Sequence, residues 1–115
     1  MVKVSYAVKR TFDLLELYKN DYKSHETVLS GKSKGDWYSF SAKEYVQNTN
    51  NISYGFLSLG VKKGDVVATI TNNRPEWNFI DLGLAQIGAV HLPIYPTISA
   101  EEYNYIFKHS EAKFV

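Results

Sequence analysis

The sequence has 115 residues, with 13 Lys and Arg against 12 Asp and Glu and a net charge of +1. This length allows one domain with a modest core, and so balanced a charge provides no field that would gather nucleic acid. The absence of cysteine excludes disulfides, thiolate catalysis and cysteine-ligated metal. Nine Tyr, six Phe and two Trp are typical of an ordered chain rather than a disordered one.

The remaining composition points away from metal sites and membranes. The three histidines are too far apart to form a local metal motif, and we predict no metal site. The first ten residues lack the apolar run of a secretory signal, and the most apolar stretch, residues 79–95, is interrupted by polar side chains. We therefore expect a soluble, intracellular protein.

The first half of the chain predicts a helix followed by a β-hairpin. Thr11 could cap a helix running to about Tyr22, because apolar residues recur at three- and four-residue spacing along it. That apolar stripe contains Phe12, Leu15, Tyr18 and Tyr22. Residues 27–30 and 37–40 then form two strand-like runs around a turn punctuated by Gly31 and Gly35.

A second helix follows the hairpin. Ser41 and Glu44 form a capping box, in which each side chain satisfies a backbone N–H of the other's turn. The stripe from this point contains Tyr45, Ile52, Phe56 and Leu59. Gly60 is a favourable residue for ending the helix.

The second half alternates between strands and helices. The apolar run 66–70 predicts a strand covered on both faces, and Pro75 and Glu76 suit the first turn of a helix. The apolar face of that helix contains Trp77, Ile80, Leu84 and Ile87. Gly88 should end it.

The remaining elements are a strand, a helix and the start of a third strand. Residues 89–92 predict a short strand closed by Pro93. Ser99 and Glu102 form a second capping box, and Tyr103, Ile106 and Phe107 should give that helix its apolar face, with Tyr105 on the surface. Residues 112–115 have the pattern of a strand just beginning.

The predicted fold class is therefore α/β, with a β-hairpin and helices leading into a β-α-β-α-β unit that calls for a parallel sheet. Each strand of a parallel sheet needs other strands at its sides and helices on both faces. Three short strands and two helices meet these needs poorly. We expect the chain to be cut through a domain at Val115. The alternative is a small complete domain whose sheet is completed by the hairpin.

Two loops are candidates for a binding site, because ligands of open α/β sheets gather at the carboxyl ends of the strands. In the first loop Asn72, Asn73 and Arg74 precede a helix N-terminus whose N–H groups could hold an anion, with Arg74 as a fork-shaped donor. In the second, Tyr95 and Thr97 flank Pro96 and could line a substrate channel. The alternatives are a helix cap with an exposed arginine and a stiffened corner of the chain.

No catalytic constellation is evident. The glycines match neither of the common phosphate-binding loops, and no spacing orders a Ser-His-Asp set. A lone strand histidine such as His91 is typically a hydrogen-bonded packing residue rather than a base. Trp77 is typical of a core or subunit contact.

Four segments carry a resemblance to a known family. They are Gly60-Val-Lys-Lys-Gly-Asp-Val-Val, Asn-Asn-Arg-Pro-Glu-Trp at 72–77, Gly88-Ala-Val-His-Leu-Pro-Ile-Tyr-Pro-Thr and Ser-Glu-Ala-Lys at 110–113. The sequence resembles the N-terminal region of the adenylate-forming acyl-CoA synthetases, and most of all their long-chain fatty-acid branch. The resemblance extends from about residue 11 to residue 115.

The resemblance implies that residues 1–115 are part of a larger N-terminal AMP-binding domain, truncated at its C-terminal end. The parent enzyme would activate a fatty acid with Mg-ATP to an acyl-adenylate and pass the acyl group to CoA, so ATP, Mg²⁺ and CoA are its implied cofactors. The family's phosphate-gripping loop and catalytic Lys match no residue here. We therefore expect the chain alone to be inactive, with no catalytic residue and no bound cofactor.

The resemblance also implies a cytoplasmic enzyme whose partners are fatty acid, ATP, CoA and the remainder of the parent chain. Long-chain synthetases dock peripherally on lipid in some cases, and the inner face of the membrane is then the expected place. Two alternatives stay open from sequence. One is a free-standing binding or assembly module that retains the fold without the chemistry, and the other is a different adenylate-forming ligase.

Overall fold

A computed structural model describes residues 6–115. Its first ordered element is a single 3₁₀ turn, Thr11–Asp13. The helices and strands that follow are α1 (Leu14–Asn20), β1 (Leu29–Ser33), β2 (Asp36–Phe40), α2 (Ala42–Ser58), β3 (Val66–Ile70), α3 (Glu76–Gln86), β4 (Val90–Ile94) and α4 (Ala100–Ser110). The predicted α/β order is confirmed.

Helix α1 begins after a 3₁₀ turn rather than at a Thr11 cap. Thr11 lies inside that turn, and the Asp13 carboxylate fixes the turn from its far end, because its Oδ2 accepts from the backbone N–H groups of Lys9 (3.0 Å) and Arg10 (2.9 Å). The Arg10 guanidinium donates to Oδ1 from Nε (3.1 Å) and Nη2 (2.9 Å). A charged carboxylate reaches two N–H groups and a guanidinium at once, which a threonine hydroxyl cannot do. Helix α1 ends at Asn20, two residues before the predicted end.

The β-hairpin is confirmed, with a tighter turn than predicted. The antiparallel register runs from Leu29 opposite Phe40 to Ser33 opposite Asp36, so the strands extend further than the sequence indicated. The two loop residues, Lys34 and Gly35, have φ angles of 51° and 89°. Positive φ at both positions is the pattern of a type I′ turn, which matches the twist of the flanking strands.

Helix α2 begins as predicted and ends one residue before Leu59. The Ser41 hydroxyl accepts from the Glu44 N–H (3.1 Å), and the Glu44 carboxylate accepts from the Ser41 N–H (2.8 Å). Gly60 follows the end with a φ of 88°. The prediction that Leu59 is buried is wrong, since it is 69% exposed and lies past the last helical turn.

Strands β3 and β4 pair in parallel, from Val66 opposite Val90 to Ile70 opposite Ile94. The expected third strand is a single bridge, in which Phe114 pairs with Val67 on the other side of β3. The hairpin forms a sheet of its own. The alternative in which the hairpin completes the parallel sheet is therefore wrong.

Strand β4 does not stop before Pro93. Pro93 lies within the strand, opposite Thr69. A proline is compatible with this position because β4 pairs on one side only among residues 6–115, and an edge strand tolerates the missing N–H.

Helix α3 buries two faces rather than the single predicted one. Leu84, on the predicted face, is fully buried against the parallel sheet with Val61 and Val67. Phe79 and Leu82 are also buried, in a second cluster with Leu15 of α1 and Tyr45 of α2. A helix that is apolar on most sides is buried on most sides, and the sequence prediction considered only one stripe.

Helix α4 lies more open to solvent than the other long helices. The Ser99 capping box is confirmed, with the Glu102 N–H donating to the Ser99 hydroxyl at 3.2 Å. Tyr105 is 66% exposed, as predicted, and no residue of the helix is fully buried. Across residues 6–115, no helix combines the length and the apolarity needed to span a membrane.

Helices α2 and α3 approach each other closely at Gly83, which gives a testable prediction. A Cβ on Gly83 would lie 2.9 Å from Ile52 Cγ2 and 3.3 Å from the Thr49 carbonyl oxygen. Gly83→Ala should lower the free energy of unfolding by about 1–3 kcal/mol, because the helices must move apart. Urea unfolding followed by circular dichroism measures the change.

Gly55 provides the matched control in the neighbouring helix. A Cβ there would meet no atom within 4 Å, so Gly55→Ala should stabilise the fold by about 1 kcal/mol through helix propensity alone. Equal destabilisation by the two variants would contradict the close approach at Gly83.

The hydrogen bonds of the Asp13 carboxylate predict how the stability of the fold changes with acid. The hydrogen bonds from Arg10 hold the pKa of Asp13 below its usual range. Because the pKa is lower in the folded state, the stabilisation is complete above the unfolded pKa of about 3.9 and is lost as the pH falls through the folded pKa. The stability gap between the native chain and Asp13→Asn should therefore narrow below about pH 4. Urea unfolding from pH 7 to pH 3 measures the gap, and a constant gap would contradict a stabilising role for the charged Asp13 carboxylate.

Candidate functional site

An open groove of about 630 Å³ lies at the carboxyl ends of β3 and β4. This is the end of a parallel sheet at which ligands bind in open α/β folds. The groove is formed by the loops after the two strands and by the first turn of α3. Its lining residues are Thr69, Thr71, Asn72, Asn73, Trp77, Pro93, Ile94, Tyr95 and Pro96.

The structure brings three of the five predicted site residues to this groove. Asn72, Asn73 and Tyr95 line it, and Tyr95 is 80% exposed. Within residues 6–115 the side chains of both asparagines make no hydrogen bond, so their amides are free to meet a ligand. Arg74 and Thr97 belong to the same loops but are not part of the lining.

Arg74 is held by a carboxylate two residues further along the chain. Its Nε donates to Glu76 Oε2 at 3.0 Å and its Nη2 donates to Oε1 at 2.9 Å. The Tyr38 hydroxyl also donates to Glu76 Oε2, at 3.3 Å. The hydrogen bonds from Arg74 keep the pKa of Glu76 below its usual range. The guanidinium fork that we expected to face an anion is thus paired with Glu76.

The start of α3 is also largely satisfied by its own turn. The Trp77 N–H donates to the Arg74 carbonyl (3.2 Å) and the Asn78 N–H donates to the Pro75 carbonyl (3.0 Å). Fewer N–H groups remain for an anion than the sequence indicated.

The hairpin packs against the end of the loop that follows β3. A Cβ on Gly31 would lie 2.6 Å from the Tyr38 ring and 2.8 Å from Pro75 Cδ, so only glycine lets the two pack this closely. This contact holds the hairpin against the loop that carries Asn72 and Asn73. Gly31, which the sequence marked as a turn residue, is therefore a packing residue of the site.

A buried histidine connects the groove to helix α3. His91 Nδ1 lies 2.8 Å from Asp81 Oδ1, and His91 Nε2 lies 2.8 Å from Thr69 Oγ1. The His91 side chain is only 5% exposed, and its ring packs 5.1 Å from that of Trp77. The prediction of a hydrogen-bonded packing histidine is confirmed. We call Asp81, His91 and Thr69 the histidine relay.

Sequence reasoning missed this relay because its members come together through tertiary contacts. Val67 pairs with His91, so Thr69 lies two residues along on the same face of the sheet. Trp77 and Asp81 are four residues apart and so share one face of α3. The sequence did contain a signal for this relay. Each of two otherwise apolar strands has a polar residue, Thr69 or His91, and the helix between the strands has a carboxylate at Asp81.

The lining of the groove is uncharged. Hydroxyl and amide groups alternate with aromatic, proline and isoleucine side chains, and no Lys, Arg, Asp, Glu or His takes part. Within the described part of the chain, no three His, Asp or Glu side chains gather as a metal-binding group. The groove is therefore suited to a neutral, partly apolar group.

Residues 17–115 match the family of AMP-binding enzymes. The chain belongs to this family. Three curated relatives of the AMP-binding family are similar over most of the chain. The fatty acyl-CoA synthetase A of Dictyostelium discoideum is 29% identical over 108 residues, which is 89% of this chain and 16% of the relative.

The other two relatives are bacterial. The long-chain-fatty-acid–CoA ligase FadD15 of Mycobacterium bovis is 33% identical over 92 residues, covering 80% of this chain and 15% of the relative. A crotonobetaine/carnitine–CoA ligase of Escherichia coli is 37% identical over 101 residues, covering 87% and 19%. The chain thus spans less than a fifth of the length of these relatives.

Solved structures of AMP-binding enzymes share the fold. The fatty acid AMP ligase from Legionella pneumophila superimposes with a TM-score of 0.77 at 18% identity, over 90% of this chain and 18% of that one. The N-terminal domain of FACL13 from Mycobacterium tuberculosis gives 0.78 at 24% identity, over 94% and 26%. The expected fold, that of an adenylate-forming N-terminal domain, is confirmed.

The contact between the hairpin and the groove loop gives a prediction about the site. Gly31→Ala would drive a Cβ into the Tyr38 ring and Pro75, which should destabilise the fold by about 1–3 kcal/mol. The amide resonances of Asn72 and Asn73 should shift in ¹H–¹⁵N NMR spectra. Unchanged asparagine resonances would show that the hairpin does not support the loop.

Proposed function

We propose that the protein carrying this sequence is a long-chain fatty-acid–CoA ligase. It activates a fatty acid with Mg-ATP to an acyl-adenylate and then transfers the acyl group to the thiol of CoA. The names of two similar relatives, a fatty acyl-CoA synthetase and a long-chain-fatty-acid–CoA ligase, support this assignment. The proposal places the enzyme in the cytoplasm, with peripheral contact to the inner face of the membrane.

In this proposal residues 1–115 are part of a larger N-terminal AMP-binding domain. The chain contributes one wall of the substrate site, and Asn72, Asn73 and Tyr95 contact the substrate directly. Arg74 and Thr97 shape the two loops that carry these residues. The groups that handle ATP, Mg²⁺ and the transfer to CoA belong to the remainder of the parent chain, so residues 1–115 alone are inactive.

The observation that carries the proposal is the uncharged groove at the carboxyl ends of β3 and β4. Phosphate groups are commonly held by cations, and no Lys or Arg lines this groove. Apolar side chains with a few hydroxyls and amides suit the neutral part of a substrate instead. A fatty acid and CoA both have such parts.

The crotonobetaine/carnitine–CoA ligase relative favours a second candidate. At 37% it has a higher identity than the 33% of the long-chain ligase. The two candidates share the reaction and differ in the acid. The acid that supports turnover therefore separates them.

The experiment compares the whole reading frame with residues 1–115. Each is incubated with ATP, Mg²⁺ and CoA and with palmitate, crotonobetaine or no acid, and pyrophosphate release is measured. We expect palmitate-dependent release by the whole protein and none by residues 1–115. Turnover with crotonobetaine alone would establish the second candidate, and no turnover with either acid would favour a non-catalytic module.

A Tyr95 variant, measured in the same pyrophosphate assay, tests whether the groove is the substrate site. Tyr95→Ala in the whole protein should lower kcat/KM for palmitate about tenfold, which corresponds to the loss of about 1.4 kcal/mol of binding. Tyr54→Ala is the matched control, because Tyr54 is also an exposed tyrosine, at 71%, and lies on α2 away from the groove. Equal effects of the two variants would remove Tyr95 from the site.

A further inference from the structure

We propose that Thr69 contacts the ligand and that Asp81 and His91 restrict its hydroxyl to accepting hydrogen bonds from the groove. The groove would then select a neutral ligand group that donates a hydrogen bond, such as a secondary amide or an alcohol. This inference rests on the proposed function only in taking the groove as the ligand site. Asp81 and His91 act as positioning residues, and Thr69 as the contacting one.

The direction of each hydrogen bond follows from what its partners can do. The carboxylate of Asp81 can only accept, so His91 Nδ1 carries the proton in the 2.8 Å contact between them. The proposal takes the imidazole as neutral, so that the other nitrogen, Nε2, has no proton and must accept. In that state the Thr69 hydroxyl donates its one proton to Nε2 across 2.8 Å.

This arrangement leaves the Thr69 oxygen with lone pairs and no proton to offer. Thr69 lines the groove, so a ligand that meets its oxygen must donate. A ligand with an acceptor at this point would face an oxygen lone pair, unless the Thr69 proton left His91. That rotation would leave a buried imidazole nitrogen without a partner, which is costly.

The surroundings keep the histidine relay in place. The His91 side chain is 5% exposed and is covered on one side by Trp77, at a ring distance of 5.1 Å. Trp77 also lines the groove. A ligand that donates to Thr69 therefore lies in the same groove as an apolar indole ring, and the expected group is an amide or alcohol attached to an apolar body.

Two measurements on the whole protein test the inference. The first is the tautomer of His91, read from its side-chain ¹⁵N shifts by long-range ¹H–¹⁵N NMR at neutral pH. We expect a protonated Nδ1 and an unprotonated Nε2. A proton on Nε2 would overturn the proposal.

The second measurement compares two small probes that differ in one donor. N-methylbenzamide has an N–H and N,N-dimethylbenzamide has none, and both have an aromatic ring that can pack on Trp77. In NMR titrations followed at the Trp77 indole N–H, the secondary amide should bind about fivefold more tightly, as expected for one neutral hydrogen bond. Equal binding, or no binding by either amide, would overturn the proposal.

Variants assign the preference to Thr69. Thr69→Val removes the hydroxyl and should abolish the preference, while Thr69→Ser retains a hydroxyl and should keep it. Thr71→Val, at another hydroxyl of the groove, should also keep it. Persistence of the preference in Thr69→Val would overturn the assignment, and thermal unfolding establishes that each variant is folded. The amide titrations do not depend on the pyrophosphate assay. Loss of the amide preference can therefore be distinguished from a failure of the proposed function, which would appear as absent pyrophosphate release.

Discussion

Helix α3 must bury two opposite faces at once, and the rest of the molecule is arranged around that requirement. One face packs on the parallel sheet through Leu84, and the other packs on α1 and α2 through Phe79 and Leu82. The seam with α2 is narrow enough that the Ser53 hydroxyl reaches the Gly83 carbonyl at 2.8 Å. Because α3 is packed on both sides, its position relative to the sheet and to α2 is restricted. The position of its first turn is restricted as well.

The geometry of the groove depends on the position of α3. Glu76, at the start of α3, binds Arg74 and Tyr38, which connects the hairpin to the loop after β3. Five residues further along the helix, Asp81 binds His91 of β4. Three separate parts of the chain are therefore positioned by one helix, which accounts for a groove with a defined shape in a molecule of modest size.

The sequence could predict those features that depend on near neighbours in the chain. The Ser41 and Ser99 capping boxes are read within four residues, because the side chain and the N–H it satisfies lie in one turn. The parallel order of β3 and β4 follows from the alternation of strands and helices. Errors arose where a nearby group was stronger, as at Thr11, where the carboxylate of Asp13 binds the backbone N–H groups of Lys9 and Arg10 and places Thr11 inside a 3₁₀ turn.

The site was predicted in part for the same reason. Asn72, Asn73 and Tyr95, which line the groove, were selected because the rule for open α/β sheets locates loops without needing any tertiary contact. Thr69 and Trp77 were missed, since they lie inside a strand and a helix and reach the groove only through register and helix packing. The pairing of Arg74 with Glu76 was also missed, since a carboxylate in a first helical turn was read as a partner of the helix dipole alone.

Pro93 has a further consequence for how the molecule meets its surroundings. It lies in the middle of β4, a strand that is paired on one side among residues 6–115, and Val90 at its start is half exposed. An unpaired strand edge is a template for pairing with a strand from another molecule, and proline is one of the residues that interrupt such pairing. Because Pro93 has no N–H, any added strand would meet an interrupted ladder. Within residues 6–115, Pro93 thus interrupts the free edge of an apolar strand.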